Sequence, residues 1–151
     1  MKRTFSLFLF LLFSFYACKN NDRKESAASE NDIDAARNFI RAALDGSFEK
    51  ARNFMVEDSS NNQYLDAVER NYRKMPPDTI NQYRGASITI HTVQPVNDSA
   101  TVVIFSNSFK NDHDTLRVLK INGQWLIDLK YLFEHDREVK TTTVNQTDSV
   151  K

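Results

Sequence analysis

The 151 residues include a single cysteine, Cys18, so no disulfide can form within the chain. Three glycines and three prolines leave no material for a glycine-rich phosphate loop, and neither a His-Glu-x-x-His nor a Gly-x-Ser-x-Gly motif occurs. An excess of one charge is missing too. Lysine plus arginine number 20 and aspartate plus glutamate 20, whereas a polyanion-binding protein carries a basic excess or stripe, so nucleic acid is not expected as a partner. The three histidines, His91, His113 and His135, lack any short ligand spacing, so neither a metal centre nor another cofactor is expected. What is present, 40% hydrophobic and 26% charged residues, is ordinary for a globular protein and too apolar for full disorder.

The one long apolar run lies at the start. Met1, Lys2 and Arg3 precede an apolar stretch from Phe5 to Phe13 broken only by Ser6, the layout of an export signal, and it falls short of the roughly 20 residues that span a bilayer. Phe15-Tyr16-Ala17-Cys18 resembles the lipobox of bacterial lipoproteins, with a Phe-rich core similar to Bacteroidetes-type signals. That resemblance implies cleavage before Cys18, a diacylglyceryl thioether on its sulfur and usually a further N-acyl chain of the palmitate kind. Two or three acyl chains anchor firmly where one binds marginally, so the expected partner is a membrane, held through Cys18. No thiol would then remain for catalysis. Lys19 after the cysteine resembles the pattern that allows transfer to the outer membrane, and the acidic run of surface-exported lipoproteins is absent. The expected location is therefore the cell envelope, on the outer membrane facing the periplasm. Loss of Lys2 and Arg3 with the leader leaves 18 basic against 20 acidic residues.

Composition divides the chain into a signal peptide over 1–17, the lipidated cysteine and a flexible polar tether over 18–31, one domain over 32–135 and a disordered polar tail over 136–151. Ala36, Phe39, Ile40, Ala43 and Leu44 form a helical stripe behind a cap at Asn31 or Asp32. Gly46 ends it, and Ser47 opens a short second helix with Phe48, Ala51, Phe54 and Met55 inward. A third helix is predicted from Ser60, with Gln63 completing a capping box, as far as Pro76-Pro77. From Ala86 the period changes to two. Strands are predicted over Ala86 to His91, Ala100 to Phe109 and Thr115 to Ile121, and a last strand carries Trp125, Ile127, Leu129 and Tyr131 on one face after the Asn122-Gly123 turn. Val102 and Ile104 oppose Val103 and Phe105, so the second strand is apolar on both faces. The predicted fold class is α+β, with N-terminal helices packed on a curved four-strand antiparallel meander.

Phe39-Ile40-x-Ala42-x-x-x-Gly46-Ser47-Phe48-x-x-Ala51 and Lys120-x-x-Gly123-x-Trp125-x-Ile127-Asp128, around a long meander, resemble small bacterial lipoproteins of the nuclear transport factor 2-like superfamily, domains of unknown function with a cone-shaped α+β fold. Enzymes of that superfamily place an acid or base inside the cone beside a tyrosine or second acid, and no position of this chain matches such a motif. No catalytic residue is therefore assigned. Alternation turns Leu116, Val118, Trp125, Ile127 and Leu129 inward and Asp128 away. Arg37, Arg41, Arg52, Arg70 and Arg73 read as solvated helix faces, and Asp112-His113-Asp114 as turn chemistry.

The expected function is a non-catalytic, membrane-anchored periplasmic lipoprotein whose cone binds a small apolar ligand or a protein partner, with Trp125, Tyr72 and Tyr131 as the candidate ligand-binding residues. One alternative is a cone enzyme doing proton transfer of the isomerase or dehydratase kind. Another is an immunity or accessory lipoprotein that blocks a protein partner. A hollow cone with an inward carboxylate beside a tyrosine favours the first alternative, and a filled cone with an exposed apolar patch the second.

Overall fold

The computed structural model describes residues 29–134, so Cys18, the signal, most of the tether and the polar tail lie outside the described residues. Four helices precede four strands: α1 (Asp32–Leu44), α2 (Phe48–Arg52), α3 (Ser59–Arg73), α4 (Pro77–Gly85), β1 (Ile88–Asn97), β2 (Ala100–Asn107), β3 (Asp114–Ile121) and β4 (Gln124–Asp128). The strands form one antiparallel sheet in the order β1-β2-β3-β4, the meander that the sequence predicts.

The Asn31 side chain caps α1 by accepting from the Asp34 amide at 2.9 Å, and Asp32 and Asp34 set negative charge in its first turn. Ala35, Ala36, Phe39, Ile40 and Leu44 are buried, and α1 approaches all four strands. Gly46 then takes a φ of +74°, where a side chain would be strained. The cap of α3 differs from the prediction. Asp58, not Ser60, accepts from the Asn61 amide at 2.8 Å, two residues earlier than the Ser60–Gln63 box would place it. A larger correction is α4, which begins at the very prolines that the sequence reading made a terminator. Pro77 stands in its first turn, where a missing N–H costs nothing.

β1 runs on past His91 to Asn97, and its pairing shifts between Ile90 and Thr92, so His91 is a bulge residue. Pro95 is tolerated because β1 is an edge strand. The far edge, β4, is covered by chain from the helical half: Val56 N–H bonds the Ile127 carbonyl at 2.9 Å and Ile127 N–H bonds the Phe54 carbonyl at 2.8 Å. The last strand is shorter than predicted. It ends at Asp128, and residues 129–134 are helical, which puts Tyr131 out of phase with Trp125.

The core lies between α1, α2 and the sheet, where Val103, Leu116, Val118 and Ile127 are all but inaccessible. Opposite faces of β2 separate as alternation requires. Val103 and Phe105 are buried under the helices, whereas Val102 and Ile104 join Leu119 and Leu126 as a half-buried stripe on the other face. Among the described residues no helix is long and apolar enough to cross a membrane.

Candidate functional site

Backbone spacing creates the site. α1 lies on the sheet, but α3 makes its close approach to α2 rather than to the strands. Side chains from α1, α3, β2, β3 and residues 129–134 face one another across the gap and leave a cavity of about 360 Å³, within the usual range for small-molecule sites. Its walls are apolar, with Phe39, Leu65, Val68, Phe105, Leu116 and Phe133 among them. Asn71, Asn107, Lys110 and Asp114 add the polar groups.

Of the three candidate ligand-binding residues, the structure puts one in this cavity. Tyr72 lines it, with its ring edge-on to Phe48 at 5.4 Å and its hydroxyl donating to the Leu44 carbonyl at 3.0 Å. That bond satisfies a carbonyl of the last turn of α1 and leaves the ring as the wall. Trp125 and Tyr131 are not lining residues. Trp125 is half-buried, two places from the covered Ile127 on the same face of β4, and the Lys120 ammonium lies 5.4 Å from its ring centre. Tyr131 carries the Arg117 guanidinium over its ring at 5.3 Å, a position that follows from the helical turn that the strand reading missed. Of the other tyrosines, Tyr83 lines the cavity and Tyr64 stacks on Phe133 at 4.6 Å.

Leu116 and Leu129 reach the cavity as alternation suggests, whereas Val118 and Ile127 are consumed by the core. The wall residues Asn107 and Asp114 were not predicted. Asn107 closes β2, where its side-chain oxygen accepts from the Phe109 and Lys110 amides at 3.1 and 3.0 Å and shapes the β2–β3 turn. Asp114 pairs with Phe105 across the strands, and that pairing was the available signal: a residue opposite an inward Phe is itself inward.

Away from the cavity the ionic groups are structural. Asp128 does point to the other face, as predicted, yet it is 1% exposed, because Arg117 binds it through Nε and Nη2 and Lys130 Nζ lies at 3.8 Å. Lys130 also bonds Asp58 at 2.8 Å. The Asn61 amide, and then Lys130, hold the Asp58 carboxyl below its ordinary value, while Asp58 raises Lys130. Arg73 pairs with Glu69 along α3, whereas Arg41 and Arg52, also predicted as solvated, bridge different elements. Arg52 reaches Asp66 at 2.6 Å and Glu69 at 3.3 Å, and its pKa is raised chiefly by the Asp66 hydrogen bond. Arg41 donates to the carbonyls of Ala86 and Arg84 at 2.7 and 3.1 Å. His91 and His113, distant in sequence, have ring centres 4.1 Å apart with their planes tilted by 37°, and His91 Nε2 lies 2.7 Å from Ser106 Oγ. Among the described residues no three metal-ligating side chains come together.

No family model matches this chain, and no curated protein matches it in sequence. A search of solved structures finds a crystal structure of an NTF-2-like protein of unknown function from Shewanella oneidensis MR-1, aligned over 63% of this chain and 89% of that one, at 16% identity and a TM-score of 0.47.

Proposed function

We propose that this protein is an envelope lipoprotein, held to the periplasmic face of the outer membrane through Cys18, whose folded domain binds a small apolar ligand without transforming it. The carrying observation is the cavity of about 360 Å³ between α3 and the sheet, walled by aromatic and aliphatic side chains and met by a few polar groups. Such a cavity gains free energy by taking apolar surface out of water and uses its polar groups to orient what it binds. A nuclear transport factor 2-like cone is the architecture to which this reading assigns the domain, on the order helices then meander.

A second reading has one observation in its favour. Asp114 is a carboxylate in the cavity wall, in a lining that also holds Tyr72 and Tyr83, and proton transfer requires a titratable group held near its substrate. Both readings meet one test. The full chain in lipid nanodiscs is titrated with 1-anilinonaphthalene-8-sulfonate, against empty discs, from pH 4 to 9. The expected result is saturable binding that Val68→Trp abolishes by filling the cavity while the melting temperature stays within a few degrees. Binding that survives Val68→Trp refutes the cavity reading. A binding step with a midpoint well above the ordinary carboxylate range, lost in Asp114→Asn, moves proton transfer ahead of simple binding.

A further inference from the structure

α4 differs from the other helices in what holds it. None of its residues is fully buried, its Ile80 and Tyr83 pack half-buried against the core, and Tyr83 with Met75 just before the helix forms part of the cavity wall. An element held to the core by two half-buried side chains opens at lower free-energy cost than one with fully buried anchors. Its C-terminal end is pinned to α1. Arg41 forks to the carbonyls of Ala86 at 2.7 Å, Arg84 at 3.1 Å and Tyr83 at 3.4 Å, and Arg84 Nε donates to the Asp45 carbonyl at 3.3 Å. A cation there satisfies carbonyls that the helix leaves without partners. The N-terminal end has no side-chain cap and starts from Pro76-Pro77. On the cavity side the Tyr83 ring meets Phe109 edge-on, at 4.8 Å and 84°. Phe109 is 37% exposed, lies outside the cavity lining and stands on the β2–β3 turn that Asn107 holds in shape.

We propose that α4 is a lid on the cavity, pinned by Arg41 and latched by the contact of Tyr83 with Phe109, and that ligand enters where this latch parts. The lid's purpose rests on the ligand-binding reading, but its motion does not. Opening through the latch exposes the gap between α3, α4 and the β2–β3 turn while α1 and the sheet stay in place. The turn is the fixed jamb, since two amides of its backbone are tied to Asn107, and α4 is the moving part. Lys110, next in sequence to Phe109, lines the cavity.

Hydrogen exchange read by mass spectrometry on the full chain in lipid nanodiscs tests the motion. Without any probe, the amides of residues 80–86 are expected to exchange faster than those in the middle of α3. Phe109→Ala should accelerate them a further two- to tenfold, roughly the weight of one aromatic pair, and leave α1, α3 and the strands unchanged. Arg41→Lys, which keeps the charge and loses the fork, should accelerate the same amides and no others. A frayed helix end would not respond to Phe109 at all. No change in α4 for either variant overturns the lid, and so does acceleration across the whole sheet, which would make Phe109 a core residue. In a second arm, saturating 1-anilinonaphthalene-8-sulfonate should slow exchange in α4. Slow exchange at α3 and residues 129–134 with α4 unaffected means that ligand binds but does not close the helix, which overturns the lid alone. No protection anywhere overturns the ligand reading, leaving the latch response of the first arm to decide the motion.

Discussion

At the scale of single residues, position 46 joins the packing to the cavity. A Cβ added to Gly46 would lie 2.6 Å from Tyr72 Cε1, and the φ of +74° is itself unfavourable for an L side chain. The same Tyr72 bonds the Leu44 carbonyl, so this glycine sets how closely α3 approaches the end of α1. Gly46→Ala should therefore cost about 2 to 4 kcal/mol, combining a left-handed backbone with overpacking. Gly123 is the control. Its φ is +82° but its added Cβ meets nothing within 4 Å, so Gly123→Ala should cost only about 1 to 2 kcal/mol. Urea denaturation of both variants checks the difference, and equal losses would show that the Tyr72 contact yields freely. The sequence made Gly46 a helix stop and Gly123 a turn residue, which both are. It could not show that one faces a ring and the other faces solvent, because that depends on where a residue 26 positions later is brought by the fold.

Among the elements, those with a periodic apolar face were legible and those held by polar contacts were not. α1 and the β2–β3–β4 meander followed their patterns. α4, Pro-Asp-Thr-Ile-Asn-Gln-Tyr-Arg-Gly, has little stripe to read because only Ile80 and Tyr83 pack inward, and those half-buried, and its Pro77 is equally a stop for one helix and a start for the next. The end of β4 was misread for a related reason. Leu129 and Tyr131 continue the alternation in composition, but Asp128 is held by Arg117 and the Leu129 amide donates to Asn61 Oδ1 at 2.7 Å, so the chain turns helical around fixed polar partners. Asn61 is fully buried and also donates to Asp58, which ties the start of α3 to that turn. The junction predicts a pH response with a definite sign. The folded pKa of Asp58 is depressed, so the stabilisation is complete above the ordinary carboxylate value of 3.8 and is lost as pH falls through that value toward the folded one. Lys130 is raised, so its share holds below its ordinary 10.5 and is lost as pH rises through the folded value. In Asp58→Asn the cap survives, because Asn is as good at that position, while the charge goes. Urea midpoints measured from pH 2.5 to 7 should fall less steeply on acidification in Asp58→Asn than in the wild type. Parallel curves would assign the acid sensitivity to other carboxylates.

The whole molecule combines two parts that physical chemistry makes legible to different degrees. The site could be read only in its apolar half. Tyr72 belongs to a helical stripe, whereas Lys110 comes from a turn whose geometry depends on Asn107 and Asp114 from the start of β3, where its facing depends on strand register. The proposed anchor is the opposite case, since the proposal rests on local sequence: a charged start, an apolar run and Ala17-Cys18, with no tertiary contact needed. In that proposal both the cleavage and the attachment depend on one sulfur, since a thiolate is the side chain that a lipid alkylates and the lipobox resemblance implies a cut immediately before it. Cells expressing the wild type with labelled palmitate should yield one labelled, membrane-associated band of mature size. Cys18→Ser should abolish the label and leave a longer, uncut chain, a size change that simple loss of a surface thiol would not produce. The cavity should be indifferent to this change, because its walls are built from residues between Phe39 and Phe133. Probe binding by purified Cys18→Ser should therefore match the wild type. Equal palmitate labelling of both proteins, or an unlabelled wild type of mature size, would remove the lipid anchor and leave the cavity standing without an address.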